Sequence, residues 1–409
     1  MPNEQPKVQP ETTAITSGRD ASGALAPTLW SSTTWQSAGL DDSTKHALAT
    51  HKNGNYARYS NPTVRSFEEA VAALEGAEDA LAFASGMGAV SSVILALCSS
   101  GDHIVAHNQL YGGTISFLNG PCARLGIDVT YVDGSKPGAL AAAVRPGKTM
   151  LVIAESPSNP QMGLVDLTEL GAIKGPFTLV DSTLATPLGQ QPLSCGVSLV
   201  LHSATKGIAG HNDAMLGVVA GEKDLIDSIW GYSVMHGATA SPHDALNGLR
   251  GIRTLGVRIA HQCESALSIA TFLSSHKQVT AVHYPGLAHH PQHALATKQM
   301  RKFGSVLSFE IAGGKDAARK VLDELQIVRP AVSFGGPETL ICHPASSTHI
   351  GVATDAQIAS GITDSMLRLS IGLEATSDII ADCAASGFVW WPRDLDLSPS
   401  VEHTHWRRR

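Results

Sequence analysis

The chain is poor in charge and poor in aromatic rings. Charged residues make up 16% of it and aromatic ones 5%, where an ordinary soluble domain carries roughly 25% charge. A composition this apolar excludes a disordered polyelectrolyte. There is no basic excess. A net charge of -7 makes nucleic acid an unfavourable main partner, and the run Arg407-Arg408-Arg409 reads as a solvated tail. The six cysteines, Cys98, Cys122, Cys195, Cys263, Cys342 and Cys383, form no C-x-x-C pair. Lying mostly among apolar or small residues, they point to reduced thiols rather than a disulfide framework. No apolar run reaches the length of a membrane span, and Met1 to Thr13 lacks the apolar core of a secretion signal. A cytoplasmic protein is expected.

What is present is a large apolar share, 43%, with 39 glycines in 409 residues. That length supports two domains with terminal arms, and the glycines suit the tight strand–helix turns of an α/β protein. Residues 1–55 read as an extended arm with short helices. The stretch 66–76 reads as a helix with Ser66 as N-cap and Gly76 as stop. Apolar strands at 80–84, 103–107, 129–132, 149–154, 177–180 and 197–201 then alternate with helical patterns at 88–97 and 115–125. Such alternation predicts a mostly parallel sheet with helices on both faces. From 241 the pattern changes to helices at 241–249 and 254–275, then strands at 279–284, 305–311 and 325–329. Helices at 315–325 and 376–385 complete a smaller α+β unit. The division expected is an arm at 1–55, a large domain at 56–245, a C-terminal domain at 246–387 and a tail at 388–409. The tail's Trp390, Trp391 and Trp406 are expected to pack against a neighbouring element.

In an open parallel sheet, ligands bind outside the carboxyl ends of the strands, and here those ends carry chemistry. The strand 197–201 runs out through His202 into Ser203-Ala204-Thr205-Lys206. A lysine at the tip of an interior strand is costly unless paired, neutralised or covalently used. Two hydroxyls beside it suit a phosphate. An aldehyde cofactor bearing a phosphate, pyridoxal 5'-phosphate (PLP), would use all three groups; the alternative is a surface lysine ending a strand. The strand 80–84 runs through Ser85-Gly86-Met87 into a helix, whose bare N–H groups suit a phosphate. A dinucleotide site is the rival there, but Gly86-Met87-Gly88-Ala89-Val90-Ser91 lacks the third glycine and no acidic residue closes the next strand. The strand 177–180 delivers Asp181, a carboxylate that a protonated pyridine nitrogen would pair; helix capping is the alternative. Asn159, between Pro157 and Pro160, sits in a stiff loop suited to one fixed hydrogen bond, or is a simple turn. Tyr111 follows the strand 103–107, where its ring could stack on a planar cofactor and its hydroxyl move a proton. Arg58 could complement a phosphate. Arg368, a lone charge in an apolar strand, suits a bidentate carboxylate clamp or a structural ion pair. Histidines at 289, 290, 293, 343 and 349 have no carboxylate or cysteine at ligand spacing, which disfavours a metal site.

The ordered motifs Tyr56-x-Arg58-x-x-Asn61-Pro62-Thr63, Ser85-Gly86-Met87, Leu110-Tyr111-Gly112, Glu155-Ser156-Pro157-x-Asn159-Pro160, Val180-Asp181 and His202-Ser203-Ala204-Thr205-Lys206 occur together. With Ala331-Val332-Ser333 and Arg368-Leu369-Ser370, the chain over roughly residues 20–387 resembles the PLP enzymes of cysteine and methionine metabolism. That family includes cystathionine γ-synthase and γ-lyase, methionine γ-lyase and the homoserine-ester sulfhydrylases. The resemblance implies the fold-type I PLP-dependent transferase architecture, with a seven-stranded, mostly parallel sheet, assembled as a homotetramer of dimers with shared active sites. It implies Lys206 as Schiff-base lysine and proton carrier, and Asp181 on the pyridine nitrogen. Tyr111 would stack on the ring and assist the leaving group. Gly86, Met87, Ser203 and Thr205 would hold the phosphate, joined by Tyr56 and Arg58 of an adjacent subunit. Asn159, Ser333 and Arg368 would hold the substrate carboxylate. Positions that line the distal pocket in such enzymes, Asn55, Ser116 and Val332, are uncharged here, which favours a small or apolar γ-substituent and γ-elimination. γ-Replacement on a homoserine ester is the alternative, and a non-enzymatic protein of the same fold is disfavoured by the intact catalytic positions. The chain departs from the pattern at Gly113, where methionine γ-lyases usually carry cysteine. It also departs at Gly207 and Leu184, where aromatics are common, and at Ser182, where asparagine is.

Overall fold

The computed structural model describes residues 8–49, 55–348, 350 and 361–386, so Trp390, Trp391, Trp406 and His349 lie outside it. In the arm stand two short helices, Pro10–Thr16 and Leu40–Leu48. The next helix, Pro62–Glu75, begins before the expected Ser66. Asn61 is its N-cap, its side-chain oxygen accepting from the N–H groups of Thr63 and Val64. Pro62 opens the first turn, where a missing N–H costs nothing. Gly76, at φ 68°, ends the helix.

Seven strands follow: β1 (Asp79–Phe83), β2 (His103–His107), β3 (Asp128–Val132), β4 (Thr149–Glu155), β5 (Phe177–Asp181), β6 (Leu199–His202) and β7 (Gly217–Gly221). They form one sheet in the order β1-β7-β6-β5-β4-β2-β3. β7 is antiparallel to both neighbours, and every other pairing is parallel. This is the expected α/β sheet, with β7 added. Bounded by Gly217 and Gly221, β7 has no counterpart among the expected strands. Alternation along each strand feeds two cores. On β6, Val200 shares a core with Phe67 and Leu249, whereas Leu199 and Leu201 share one with Val93, Ile94 and Ile229. Helices Pro62–Glu75 and Pro242–Ser275 therefore cover one face, and Gly86–Leu97 and Lys223–His236 the other.

The structure joins the two helices expected at 241–249 and 254–275 into one, Pro242–Ser275. Gly248 and Gly251, at the expected break, sit where the helix packs closely. A Cβ on Gly251 would stand 2.2 Å from the Ala209 carbonyl oxygen, and one on Gly248 2.9 Å from the Phe67 ring. Beyond this helix a second sheet holds β8 (Val279–His283), β9 (Val306–Ile311), β10 (Arg329–Pro330), β11 (Leu340–Cys342) and β12 (Met366–Ser370), ordered β10-β11-β12-β9-β8. β10 is shorter than the strand expected at 325–329, because Leu325 caps the helix Gly314–Glu324 instead. Among the described residues, no helix is long and apolar enough to cross a membrane.

Candidate active site

The tips of β1, β4, β5 and β6 open into one cavity of about 350 Å³, closed on its far side by Val332-Ser333-Phe334 and by Arg368 on β12. From β1 the chain passes through Ser85, whose Oγ accepts from the Gly88 N–H at 3.0 Å and caps the helix Gly86–Leu97. The first N–H groups of a helix lack intrahelical acceptors and attract an anion. Here they abut Ser203 so closely that a Cβ on Gly86 would lie 2.9 Å from the Ser203 Cβ. Only glycine leaves this cradle open. Thr205, one turn on, is tied into the loop: its hydroxyl accepts from the Leu216 N–H at 2.8 Å and donates to the Leu216 carbonyl at 3.1 Å.

Lys206 donates from Nζ to Ser333 Oγ at 2.7 Å. Burial, with Arg368 adding to it, holds the amine below the usual lysine range, which raises its neutral, nucleophilic fraction. Two carboxylates share its cavity from the strand ends, where Glu155 of β4 and Asp181 of β5 are register neighbours. Asp181 Oδ1 accepts from the N–H and hydroxyl of Thr183 at 3.0 and 2.5 Å. Burial pushes both carboxyls up, and for Glu155 the charge of Asp181 adds to it. A buried acidic pair of this kind is satisfied by a cation.

Glu155 escaped the sequence reading as a site residue. Its Oε2 accepts from the Tyr111 N–H at 2.7 Å and its Oε1 from the Asn159 N–H at 3.1 Å. The signal was available: Glu155 ends its strand as Asp181 ends the next one. Asn159 in turn accepts at Oδ1 from Arg368 Nη1 at 2.9 Å, and Arg368 Nη2 donates to the Ser333 carbonyl at 2.8 Å. Arg368 is buried, and its Nε has no protein acceptor. A buried donor on a fixed fork suits a carboxylate. Ser333 has φ 82°, a left-handed conformation costing about 1–3 kcal/mol in a non-glycine residue; from it the hydroxyl meets Lys206 and the carbonyl meets Arg368.

Every site residue expected from the sequence lines this cavity except Asn55, Tyr56, Arg58 and the distal-pocket position Ser116. Asn55, Tyr56 and Arg58 stand outside the cavity of their own chain. Arg58 donates to the Val234 carbonyl at 2.7 Å and lies 5.4 and 5.0 Å from the ring centres of Tyr56 and Tyr59. Ser116 also lies outside, its hydroxyl bonded to the Gly112 carbonyl. The departures acquire reasons. A Cβ on Gly113 would lie 2.5 Å from Tyr111 Cε1, so the ring occupies that space. A Cβ on Gly207 would lie 3.0 Å from Thr186 Cγ2, so an aromatic at 207 needs Thr186 to move. Leu184 joins Met162, Val306 and Phe334 in an apolar wall.

A phosphate cradle that admits no side chain, a buried acidic pair and a depressed lysine, all on strand tips, fit PLP. Fold and site together define a PLP-dependent enzyme of fold-type I. The family model described as "Cys/Met metabolism PLP-dependent enzyme" matches residues 11–387, and the chain belongs to that family. An L-methionine gamma-lyase of Fusobacterium nucleatum subsp. nucleatum is 40% identical over 379 residues, 91% of this chain and 96% of the relative. An O-succinylhomoserine sulfhydrylase of Pseudomonas aeruginosa is 43% identical over 332 residues, 80% of this chain and 82% of the relative. The crystal structure of a cystathionine gamma synthase from Xanthomonas oryzae pv. oryzae, in complex with aminoacrylate and cysteine, superposes with a TM-score of 0.87 at 37% identity, covering 93% of this chain and 98% of that one. Relatives with three different names lie at similar distances, so overall similarity identifies the family and not the reaction.

Proposed function

We propose that this enzyme carries out γ-elimination on a sulfur-containing or otherwise γ-substituted amino acid, releasing 2-oxobutanoate, ammonia and the γ-substituent. One observation carries this reading. The charged groups of the cavity are Glu155, Asp181, Lys206 and Arg368, each engaged at the cofactor or α-carboxylate end, while the remaining wall includes Val90, Leu184, Met215, Val332 and Phe334. None of the chain's described cavity residues offers a counter-charge to a second amino-acid head, so a small apolar γ-substituent suits it best.

When bound, PLP supplies an electron sink for charge developing on the substrate carbon chain. Gly86, Met87, Ser203 and Thr205 hold its phosphate, and Asp181 pairs with its ring nitrogen. Tyr56 and Arg58, exposed outside their own cavity, serve the phosphate of an adjacent copy in a homotetramer built of dimers. Arg368 clamps the substrate carboxylate through its fork, with Asn159 and Ser333 fixing the guanidinium plane. Lys206 takes the α-proton and then a β-proton, working as a base because its pKa is held down. Tyr111 stacks on the ring and passes a proton to the departing γ-substituent. The second reading is γ-replacement on O-acetyl- or O-succinylhomoserine, favoured by the 43% identity to the sulfhydrylase.

The test supplies methionine, homocysteine, O-acetylhomoserine and O-succinylhomoserine, each with and without sulfide. Release of 2-oxobutanoate without a nucleophile supports elimination. Formation of only a sulfur-extended amino acid, and only with sulfide, overturns it in favour of replacement.

A further inference from the structure

We propose that Phe334 is a positioning residue whose single ring faces both the amine of Lys206 and the guanidinium of Arg368 and sets their spacing. Its ring centre lies 5.4 Å from Lys206 Nζ and 5.5 Å from Arg368 Cζ. Both cations are thus within the roughly 6 Å at which the negative face of an aromatic ring attracts positive charge. The ring is itself fixed, packed with Met162, Leu184 and Val306. The preceding residue meets the same two cations, since Ser333 accepts from Lys206 at its hydroxyl and from Arg368 at its carbonyl. Ser333 holds φ 82° to do so and Gly335 follows at φ 85°. Two adjacent residues in an unusual turn therefore contact both cations, and neither brings a charge of its own.

The choice of a ring has a physical reason. Lys206 and Arg368 repel, and something must offset that repulsion. A carboxylate there would compete with the substrate's carboxylate for Arg368 and hold Lys206 permanently protonated. An aromatic face attracts both cations weakly and neutralises neither. The other ionisable groups that share the cavity with Lys206 are Asp181 and Glu155 from the strand tips, Tyr111 from its loop and Arg368 from β12.

This inference rests on the roles given above to Lys206 and Arg368, and its test separates the two. Phe334→Leu keeps an apolar side chain and removes the ring; Phe334→Tyr keeps the ring. In apoprotein, the pKa of Lys206 is read from pH-dependent acylation of its peptide by mass spectrometry. In holoenzyme, binding of glycine and of glycinamide, which lacks the carboxylate, is followed by the cofactor's absorption. Loss of the ring disfavours the ammonium, so Phe334→Leu is expected to lower the Lys206 pKa by about half a pH unit or more. It is also expected to weaken glycine by about three- to tenfold and glycinamide less, with Phe334→Tyr behaving as wild type. An unchanged Lys206 pKa, or equal losses for both ligands, overturns the proposal. Phe334→Met gives the same two readings where the leucine variant does not fold. If wild-type holoenzyme shows no response to glycine, the site reading itself fails. A wild-type response that Phe334→Leu leaves intact breaks only the inference about the ring.

Discussion

Replacing Glu155 by glutamine changes almost no volume and one charge, and it separates folding from catalysis. The wild-type carboxylate accepts from the Tyr111 N–H at 2.7 Å and from the Asn159 N–H at 3.1 Å. A carboxamide has one oxygen, so one of these N–H groups meets an NH₂ instead. A buried donor left without an acceptor costs about 1–3 kcal/mol. In the opposite direction, the change relieves repulsion between Glu155 and Asp181, paired on adjacent strand tips. Two unit charges ~5 Å apart at an effective dielectric constant of ~20 repel by ~3 kcal/mol, an upper bound here because burial and Asp181 push Glu155 toward its neutral form. The two effects are of one size, so the melting temperature should move little. Catalysis has no such compensation, because Tyr111 and Asn159 lose a shared anchor. A group misplaced by ~1 Å costs on the order of 10²-fold in rate, and kcat of Glu155→Gln should fall by about that factor. Thermal melts and steady-state release of 2-oxo acid measure the two quantities on one preparation. A wild-type kcat refutes the reasoning, as does a rate loss that merely tracks a fall in melting temperature.

Arg368→Lys loses the fork that gives two charge-assisted hydrogen bonds of about 1.5–3 kcal/mol each. It should lower kcat/KM by about 10²- to 10⁴-fold, chiefly through KM, while the cofactor spectrum persists. Gly86→Ala puts a methyl 2.9 Å from the Ser203 Cβ; its PLP affinity, measured by equilibrium dialysis, should drop roughly tenfold as the cradle shifts. Unaltered affinity would show that the helix start does not hold the phosphate. His107 is buried, accepts at Nδ1 from the Gly134 N–H at 2.9 Å, and is pushed down by burial from 6.5 to about 4. Its folded pKa lies below its unfolded one, so its contribution is full above the unfolded pKa and is lost as pH falls through the folded one. At ~1.36 kcal/mol per pH unit that is roughly 3 kcal/mol. Urea midpoints between pH 7 and 4 should fall less steeply in His107→Gln, whose amide oxygen can take the same N–H; an identical slope would show that His107 titrates alike in the folded and unfolded states.

The parts of the site that were legible in the sequence share one property: they end an apolar strand. Lys206, Asp181 and Ser85-Gly86-Met87 interrupt buried runs with groups a core cannot hold, so their positions announce chemistry. Arg368 is legible for a related reason, as a lone charge inside the apolar strand β12. Glu155 is masked in the sequence by the turn residues Ser156-Pro157 and Asn159-Pro160, and its role rests on the Tyr111 and Asn159 N–H groups that only the fold brings to it. Phe334 was invisible because an aromatic beside glycines looks like ordinary core, and its role depends on two cations brought from distant positions. In the fold, the alternating strands were readable from their periodicity, whereas β7 was not. Its two bounding glycines mimic a loop, although Gly217 is there because a Cβ would lie 2.2 Å from the Ser85 carbonyl oxygen. The continuity of the long helix Pro242–Ser275 is hidden in a similar way, since Gly248 and Gly251 are there for close packing that only the fold reveals.

The central claim is that Lys206 moves protons along the substrate from the α-carbon onward, which chemistry at the γ-carbon requires. L-Norvaline keeps the α-, β- and γ-carbons but carries a methyl in place of the γ-leaving group, so it can undergo proton exchange without elimination. Incubated with holoenzyme in D₂O and followed by NMR, it should exchange its α-hydrogen and its β-hydrogens with wild type and neither with Lys206→Ala. Exchange confined to the α-carbon, or β-exchange that survives Lys206→Ala, would contradict the account.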